Sequence, residues 1–348
     1  MNLLHGVGDF FSLDVGTNSM RIVQLSGDAK RGWSLQKYAY VPITAQLTSD
    51  NSDLGRKRFG EAIMGAVSQA GIKTKNVAVG LPASKTFTSI VETDTLPPNE
   101  LAKTFKYEID KYVPMPMSEA KADYVIIGPS PNDPARTEIL VSSVSKEYAE
   151  TTMETVERAG LNIVAMEPEP LAMARSLTTP GAMDANMIVD FGEKSTDIVV
   201  VYKGMPRLVR SIPGGFENLV QTLANGLNVR TDQSRDYILK FGLTEDKVEG
   251  QVFKVLSRPL EMYVQEFTKS VRFFQTKYLN GKVGGIILSG YASMIPLFSE
   301  YIEAKTNIPT MNGNPWQFVR TTPAEQRILA PVASEFAVAI GLSERSND

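Results

Sequence analysis

The chain has 348 residues, of which 43% are hydrophobic and 22% are charged, and its formal net charge is −3 at pH 7. These values are typical of a globular protein with two or more domains and give no reason to expect nucleic-acid binding. The sequence has no cysteine and one histidine, His5 in the N-terminal tail, which excludes disulfides, thiol catalysis, zinc–thiolate sites and a Ser-His-Asp triad. We find no segment with the length and composition of a membrane-spanning helix and no signal-peptide pattern.

The first strand, at 11–13, leads into a stretch that occurs twice. The first copy, 14–25, reads Asp-Val-Gly-Thr-Asn-Ser-Met-Arg-Ile-Val-Gln-Leu, and the second, 190–201, reads Asp-Phe-Gly-Glu-Lys-Ser-Thr-Asp-Ile-Val-Val-Val. The copies align without a gap, and each reads as a strand, a glycine-containing turn and a strand. Their separation is too long for a solenoid repeat and predicts two related domains that face each other.

Both hairpins have the composition of a phosphate site. Such a turn can direct successive backbone N–H groups at an anion, and an aspartate ending a buried strand favours a hydrated cation nearby. Two of them can hold a nucleoside triphosphate and Mg²⁺ between them, whereas one copy alone would be read as an ordinary hairpin. The predicted metal residues, acting through bound water, are Asp14 and Asp190. The other predicted nucleotide contacts in the hairpins are Gly16, Thr17, Asn18, Arg21, Gly192, Ser195 and Thr196.

The remaining pattern alternates strands and helices. Strands are predicted at 21–25, 33–40 and 77–81, and a helix over 54–70 ends at Gly71. Residues 86–168 follow the order βαββαβ, which predicts a small inserted α/β subdomain. After the second hairpin, Gly214 and Gly215 precede a helix and can bring backbone amides close to an anion, although a plain loop before a helix looks the same. The apolar stripe over 260–278 is interpreted as core.

The hairpins, read as Asp-x-Gly-Thr-x-x-x-Arg and Asp-x-Gly-x-x-Ser-Thr-Asp, resemble the actin-like ATPase superfamily. Three further stretches are similar to the PilM family of type IV pilus assembly proteins. They are Tyr-Val-Pro-Met-Pro at the helix end 112–116, Asn-Pro-Trp at 314–316 and Ser-Glu-Phe-Ala-Val-Ala at 334–339. The resemblance covers residues 11–342, although the residues of the first stretch alone indicate only a helix stopped by proline.

This resemblance implies an α/β, actin-like ATPase fold of two duplicated RNase H-like domains with an inserted 1C-type βαββαβ subdomain. It places the first core subdomain at 1–85 and 169–186, the insert at 86–168, the second core subdomain at 187–228 and 284–330, its helical addition at 229–283, and a closing helix returning to the first core at 331–348.

The resemblance also implies a nucleotide site that binds ATP and Mg²⁺ and turns over weakly. Glu169 opens the first connecting helix of the fold and is the candidate catalytic residue that orders the attacking water; an N-terminal acid favoured by the helix dipole is the equal alternative. The adenosine motif of the family usually has two or three consecutive glycines. Here Tyr291 follows Gly290, so Tyr291 either stacks on adenine or narrows the pocket.

PilM-like proteins bind the N-terminal cytoplasmic peptide of the membrane protein PilN and couple to the pilus motor ATPases. The resemblance therefore implies a cytoplasmic adapter, peripheral at the inner membrane through its partner and without direct membrane insertion. The predicted partner-binding residues are Phe105, Ile109, Tyr112 and Val113, which can instead make the insert's own core. Because the chain begins Met-Asn-Leu-Leu, similar to the Asn-Leu-Leu of PilN peptides, residues 1–7 are expected to be able to occupy the groove in cis or by self-association.

Two other functions fit the superfamily. A division protein such as FtsA would carry a C-terminal amphipathic membrane helix, for which residues 343–348 are too short and polar. A small-molecule kinase would need a catalytic aspartate and a sugar pocket, and the insert fits a partner groove better.

Overall fold

The structure is a computed structural model that describes residues 9–50 and 52–345. It divides into two compact units. Unit 1 comprises Met1–Ser130, Ala135–Ser176 and Asn314–Asp348, and unit 2 comprises Pro131–Pro134 and Leu177–Gly313. The N-terminal segment 1–7, for which we predict binding in a groove, lies outside the described residues.

The strands in chain order are β1 (Phe11–Val15), β2 (Ser19–Asp28), β3 (Gly32–Pro42), β4 (Asn76–Leu81), β5 (Thr86–Asp94), β6 (Ala120–Pro129), β7 (Arg136–Ser145), β8 (Asn162–Pro168), β9 (Ala185–Phe191), β10 (Ser195–Tyr202), β11 (Met205–Pro213), β12 (Val283–Gly290), β13 (Thr310–Asn312) and β14 (Val319–Arg320). The helices are α1 (Ala45–Ser49), α2 (Asp53–Ala70), α3 (Pro98–Phe105), α4 (Lys146–Arg158), α5 (Glu169–Leu177), α6 (Phe216–Leu227), α7 (Thr231–Phe241), α8 (Gln251–Lys277), α9 (Phe298–Thr306), α10 (Pro323–Leu329) and α11 (Ala337–Ser343).

The main sheet of unit 1 has the order β14-β3-β2-β1-β4-β8. The helix α2 covers it, beginning after Ser52, whose side chain accepts a hydrogen bond from Gly55 N, and ending at Gly71 in the left-handed conformation. Between them lies a fully apolar core that includes Leu13, Ile22, Ile63, Val77 and Val156. This core fixes the end of β1, where the first phosphate turn is predicted.

Residues 86–168 have the predicted order of elements, but they do not all join one sheet. The strands β5, β7 and β6 form a separate three-stranded antiparallel sheet, and α3 packs on one of its faces. The helix α4 instead packs against α2, and β8 pairs in parallel with β4 of the main sheet. The segment from β4 to β8 is therefore a parallel crossover that carries the three-stranded layer as its insertion.

Unit 2 has one five-stranded sheet of order β11-β10-β9-β12-β13. Its core joins this sheet to the helices α6, α7, α8 and α9. The apolar stripe predicted over 260–278, which lies on α8 and the residue after it, is buried in this core. Its members Leu260, Tyr263, Val264, Phe267, Val271, Phe274 and Tyr278 are each at most 8% exposed. Among the described helices, none has both the length and the apolar composition to cross a membrane.

The two main sheets repeat one topology. In each, three antiparallel strands follow one another in the chain, β1-β2-β3 and β9-β10-β11, and a later strand, β4 or β12, pairs in parallel with the first. This is the duplication that the repeated hairpin predicts. The chain returns to unit 1 by Asn314, earlier than the predicted return at residue 331, because β14 pairs with β3.

Candidate functional site

The turn between β1 and β2 presents two successive backbone amides. Gly16 N donates to Ser19 O at 2.9 Å and closes the turn. Thr17 and Asn18 form its tip, and their amides have no backbone acceptor within residues 9–50 and 52–345. Adjacent N–H groups in this arrangement can bind an oxygen of a phosphate group.

The turn between β9 and β10 has the same geometry. Gly192 N donates to Ser195 O at 2.9 Å, and the two residues between them, Glu193 and Lys194, have amides without a backbone acceptor in the described part of the chain. The sequence repeat is therefore also a structural repeat of two equivalent turns. The second turn carries charged side chains where the first has Thr17 and Asn18.

Asp14 is the next-to-last residue of β1 and is only 1% exposed. Across the hairpin it faces Arg21, whose Nε donates to Asp14 Oδ2 at 2.8 Å. Burial alone would lower the pKa of Arg21, but the charge and hydrogen bond of Asp14, followed by the charges of Glu335 and Glu169, raise that pKa above the ordinary arginine value. Asp14 is thus already paired with a cation of its own hairpin.

The second hairpin has a carboxylate where the first has the arginine. Asp190 faces Asp197 across β9 and β10, as Asp14 faces Arg21. Burial raises the pKa of Asp197 to about 7, a hydrogen bond with Ser211 opposes this rise, and the charge of Asp190 adds to it. Asp197 Oδ1 is buried without a hydrogen-bond partner among the described residues. A hydrated divalent cation would stabilise the ionised form of both carboxylates.

The predicted glycine pair holds the second turn against α6. A Cβ on Gly215 would lie 2.3 Å from Gly192 O, so only glycine allows this approach. The hydrogen bonds are Gly214 N to Lys194 O at 3.0 Å, Gly215 N to Asn218 Oδ1 at 3.2 Å and Thr196 Oγ1 to Gly214 O at 2.8 Å. The amides of Gly214 and Gly215 thus bond within the protein, and contact with an anion would require them to exchange partners.

Gly290 ends β12 directly beside Asp190. It has a φ of +62, and a Cβ there would lie 2.9 Å from Asp190 Oδ1. Tyr291 follows, and one face of its ring lies on Phe216 of α6. The predicted residues of unit 2 therefore form one cluster around the second turn: Asp190, Gly192, Ser195, Thr196, Gly214, Gly215, Gly290 and Tyr291.

Glu169 is the first residue of α5, as predicted, and its charge affects the pKa of a residue in the first hairpin. It raises the pKa of Arg21 and, together with the larger effect of burial, raises the pKa of Tyr148 to about 12. Gly80 makes room for it, since a Cβ there would lie 3.2 Å from Glu169 Cγ. In unit 1 the predicted residues Asp14, Gly16, Thr17, Asn18 and Arg21 thus also lie together at one turn, and the charge of Glu169 acts on Arg21.

Two residues of these clusters were missed in the sequence. Asp197 could have been found, because it occupies the position in the second copy that Arg21 has in the first. Glu335 contacts Ser19, Arg21 and Tyr40, but it lies 314 residues after Arg21 and has no local signal of its own. Within the described residues no group of three or more carboxylates could hold a metal ion, although Mg²⁺ commonly uses one or two with water and phosphate oxygens.

The four predicted partner-binding residues belong to the core of the three-stranded layer. Phe105, Ile109 and Val113 are 1%, 9% and 9% exposed. Tyr112 is partly exposed, and its ring stacks on Phe105 with centroids 5.5 Å apart. Tyr107, in the turn that follows α3, has an aromatic side chain that is 83% exposed.

Solved structures with the same architecture identify the fold. The chain is 20% identical to a protein in a structure described as "PilM-PilN type IV pilus biogenesis complex", with a TM-score of 0.81 over 98% of this chain and 99% of that chain. It is 15% identical to the ethanolamine utilization protein EutJ from Carboxydothermus hydrogenoformans, with a TM-score of 0.54 over 97% of this chain and 90% of that chain. It is 12% identical to MreB5 of Spiroplasma citri bound to ADP, with a TM-score of 0.53 over 96% of this chain and 95% of that chain. The fold is that of the actin-like ATPases.

The sequence itself identifies the branch of this class. The family model described as type IV pilus assembly protein PilM matches residues 12–347. The chain therefore belongs to the PilM family.

Proposed function

We propose that this chain is an ATP- and Mg²⁺-binding adapter of type IV pilus assembly, held at the inner membrane by the N-terminal cytoplasmic peptide of a PilN-like protein. Its family and the likeness to a PilM-PilN complex support this role. The adapter would link that membrane protein to the pilus motor ATPases. The family match over residues 12–347 favours this function over an FtsA-like division ATPase or a small-molecule kinase.

The observation that carries the nucleotide proposal is the duplicated turn. The bonds Gly16 N to Ser19 O and Gly192 N to Ser195 O have equal lengths of 2.9 Å, and each turn presents two amides without a backbone acceptor among the described residues. One such turn is common in any β protein, whereas two equivalent turns on duplicated sheets favour binding of an anionic ligand.

The charges of the two hairpins suggest different roles for their aspartates. Asp14 is paired with Arg21 at 2.8 Å, so we assign to this pair the binding of a phosphate group by Arg21. Asp190 lies opposite Asp197, which has a buried oxygen without a hydrogen-bond partner in the described part of the chain, so we assign Mg²⁺ to this side through bound water. The bound metal would neutralise phosphate charge, while the amides of the turns orient the phosphate oxygens.

Isothermal titration calorimetry with ATP, in Mg²⁺ and in EDTA, tests the nucleotide proposal. We expect Asp190→Asn to weaken ATP·Mg²⁺ binding by at least about 10-fold, the scale of one lost charge-assisted contact. Asp14→Asn should weaken ATP binding with or without Mg²⁺, because it releases Arg21. The control is Asp184→Asn, an exposed loop residue just before β9. A wild type that binds no ATP, or an Asp190→Asn variant that binds as wild type does, would contradict the proposal.

The proposed peptide surface is the outer side of α3 and the turn that follows it. The buried Phe105, Ile109 and Val113 give this surface its shape, and the partly exposed Tyr112 together with Tyr107 can contact a peptide. Extended peptides bind through main-chain hydrogen bonds and side-chain pockets, which suits an apolar surface with polar neighbours.

Fluorescence anisotropy with a labelled PilN N-terminal peptide tests this surface. Tyr107→Ala should weaken peptide binding by about 5- to 50-fold, within the range of a contributing aromatic interface residue. Leu279→Ala removes an equally exposed apolar side chain, 84% exposed, from unit 2 and serves as the control. An equal loss of peptide affinity in both variants, or no peptide binding by the wild type, would refute the proposed peptide surface.

A further inference from the structure

The guanidinium of Arg21 lies between two carboxylates. Its Nε donates to Asp14 Oδ2 at 2.8 Å, and its Nη1 lies 3.4 Å from Glu335 Oε2. Ser19 joins the same group, since it accepts from Arg21 Nη1 at 2.8 Å and donates to Glu335 Oε2 at 3.2 Å. The arginine side chain is therefore held at both ends of its guanidinium.

This arrangement places the guanidinium on the first turn. A Cβ built on Gly16 would lie 2.7 Å from Arg21 Nη2 and 3.1 Å from Nη1, so the guanidinium covers the face of Gly16 that a side chain would occupy. The next two residues, Thr17 and Asn18, supply the amides of the proposed phosphate site. The guanidinium and the amides thus lie at one turn, and the position of the guanidinium depends on the side chains that bind it.

The position of Glu335 does not depend on Arg21. Its neighbour Phe336 is fully buried and packs against the rings of Tyr38, Tyr40 and Trp316. The helix α11 that follows is buried along its whole length. Tyr40 Oη lies 3.0 and 3.1 Å from the two oxygens of Glu335 and donates to the carboxylate. The carboxylate is therefore a fixed point, whereas Arg21 is a long side chain that takes its direction from its partners.

We propose that Glu335 is a positioning residue that holds the Arg21 guanidinium over Gly16 for contact with a phosphate group. The inference rests on the proposed nucleotide binding at this turn. Glu335 acts only through Arg21 and does not itself contact the ligand. A competing effect has the opposite sign, because a carboxylate near a phosphate repels it, and removing only that repulsion would tighten nucleotide binding.

A double-mutant cycle separates the two effects. We expect Glu335→Ala to weaken ATP·Mg²⁺ binding by about 10-fold, the scale of one charge-assisted hydrogen bond. In an Arg21→Met background the same change should alter the dissociation constant by less than about 2-fold, because nothing remains to be positioned. Tyr40→Phe, which removes only the hydroxyl that holds Glu335, should give a smaller loss that also disappears with Arg21→Met. Tighter binding, or equal losses with and without Arg21, would overturn the proposal.

A measurement without nucleotide distinguishes failure of this inference from failure of the nucleotide proposal. The Arg21 Nε–H resonance reports the environment and hydrogen bonding of the guanidinium in ¹H–¹⁵N spectra of the whole chain. It is assigned from its absence in Arg21→Met. Glu335→Ala should shift this resonance and speed rotation of the terminal nitrogens, whereas Glu154→Ala, on the exposed face of α4, should not. An unchanged resonance would refute positioning even if ATP binds, and a shifted resonance with no ATP binding would refute only the nucleotide proposal.

Discussion

The ring of Tyr291 stacks on the ring of Phe216, with centroids 4.2 Å apart and planes at 7°. Arg235 lies over Phe216 at 4.9 Å and forms an ion pair with Glu193 of the second turn. The loop after β12, the start of α6 and the second turn are thus joined by one stack of side chains. One face of Tyr291 is taken, so an adenine ring could stack only on the other.

We predict that this stack stabilises unit 2. Tyr291→Ala should lower the free energy of unfolding by about 1–3 kcal/mol, since it removes a partly buried aromatic ring and its stacking contact with Phe216. Tyr291→Phe keeps the ring and should cost less than about 1 kcal/mol. Urea denaturation measures both, with Tyr107→Ala as the exposed control. Equal stability of the Ala and Phe variants would show that the stack contributes nothing.

The local parts of the fold follow from the sequence. Both hairpins, α2 with its end at Gly71, and the buried stripe of α8 were predicted from turn residues and from the spacing of apolar residues. Two pairings were missed, β8 with β4 and β14 with β3. Both join segments that are distant in the chain. The strand β8 was predicted, but its own residues do not indicate its partner, and β14 has only two residues and therefore no periodic pattern.

The sequence predicts the residues of the candidate site that lie within the hairpins, and it does not predict those that tertiary packing brings to the hairpins. The pairing of Asp14 with Arg21 follows from the hairpin register, and the same register should have drawn attention to Asp197. Glu335 could not be found in this way, because only the tertiary packing of Phe336 brings it to the first turn.

A second prediction concerns hydrolysis. We expect steady turnover of ATP below about 1 s⁻¹, the low end of common enzyme rates. Glu169→Gln should lower the single-turnover rate by about 10²–10⁴-fold if it orders the attacking water, with little change in the dissociation constant. The control is Glu154→Gln on the exposed face of α4. An unchanged hydrolysis rate in Glu169→Gln would contradict the catalytic role. Glu169 would then only stabilise the N-terminus of α5 through the helix dipole.

A third prediction tests the contact between α11 and α5. A Cβ on Gly341 would lie 1.9 Å from Ala172 O, closer than any real contact, so Gly341→Ala must move one helix. We expect a loss of at least about 2 kcal/mol in unfolding free energy. Gly65→Ala in α2 is the matched control, because its Cβ would meet nothing within 4 Å, and it should stabilise the chain by up to about 1 kcal/mol. If both variants unfold at the same denaturant concentration, the two helices do not pack as closely as the structure indicates.

The last prediction concerns pH. Burial raises the pKa of Glu344 from 4.5 to about 8, and the charge of Arg175 only partly opposes this rise. Between these two pH values the folded chain holds a proton on Glu344 that the unfolded chain has lost. Stability therefore falls as pH rises from about 4.5 to about 8 and changes no further above that range, so far as Glu344 is concerned.

Glu344→Gln keeps the shape of the side chain but cannot ionise, so it should remove this part of the decline. One pKa unit corresponds to about 1.4 kcal/mol, so the variant should exceed wild type by a few kcal/mol above pH 8 and match it below pH 4.5. Urea denaturation at several pH values measures the difference between the two proteins, which cancels contributions from other groups such as Asp197. Glu154→Gln, changed at an exposed glutamate, should follow wild type at every pH. A Glu344→Gln variant whose stability runs parallel to wild type from pH 4.5 to 8 would mean that the carboxyl of Glu344 ionises in the folded chain as readily as in the unfolded one.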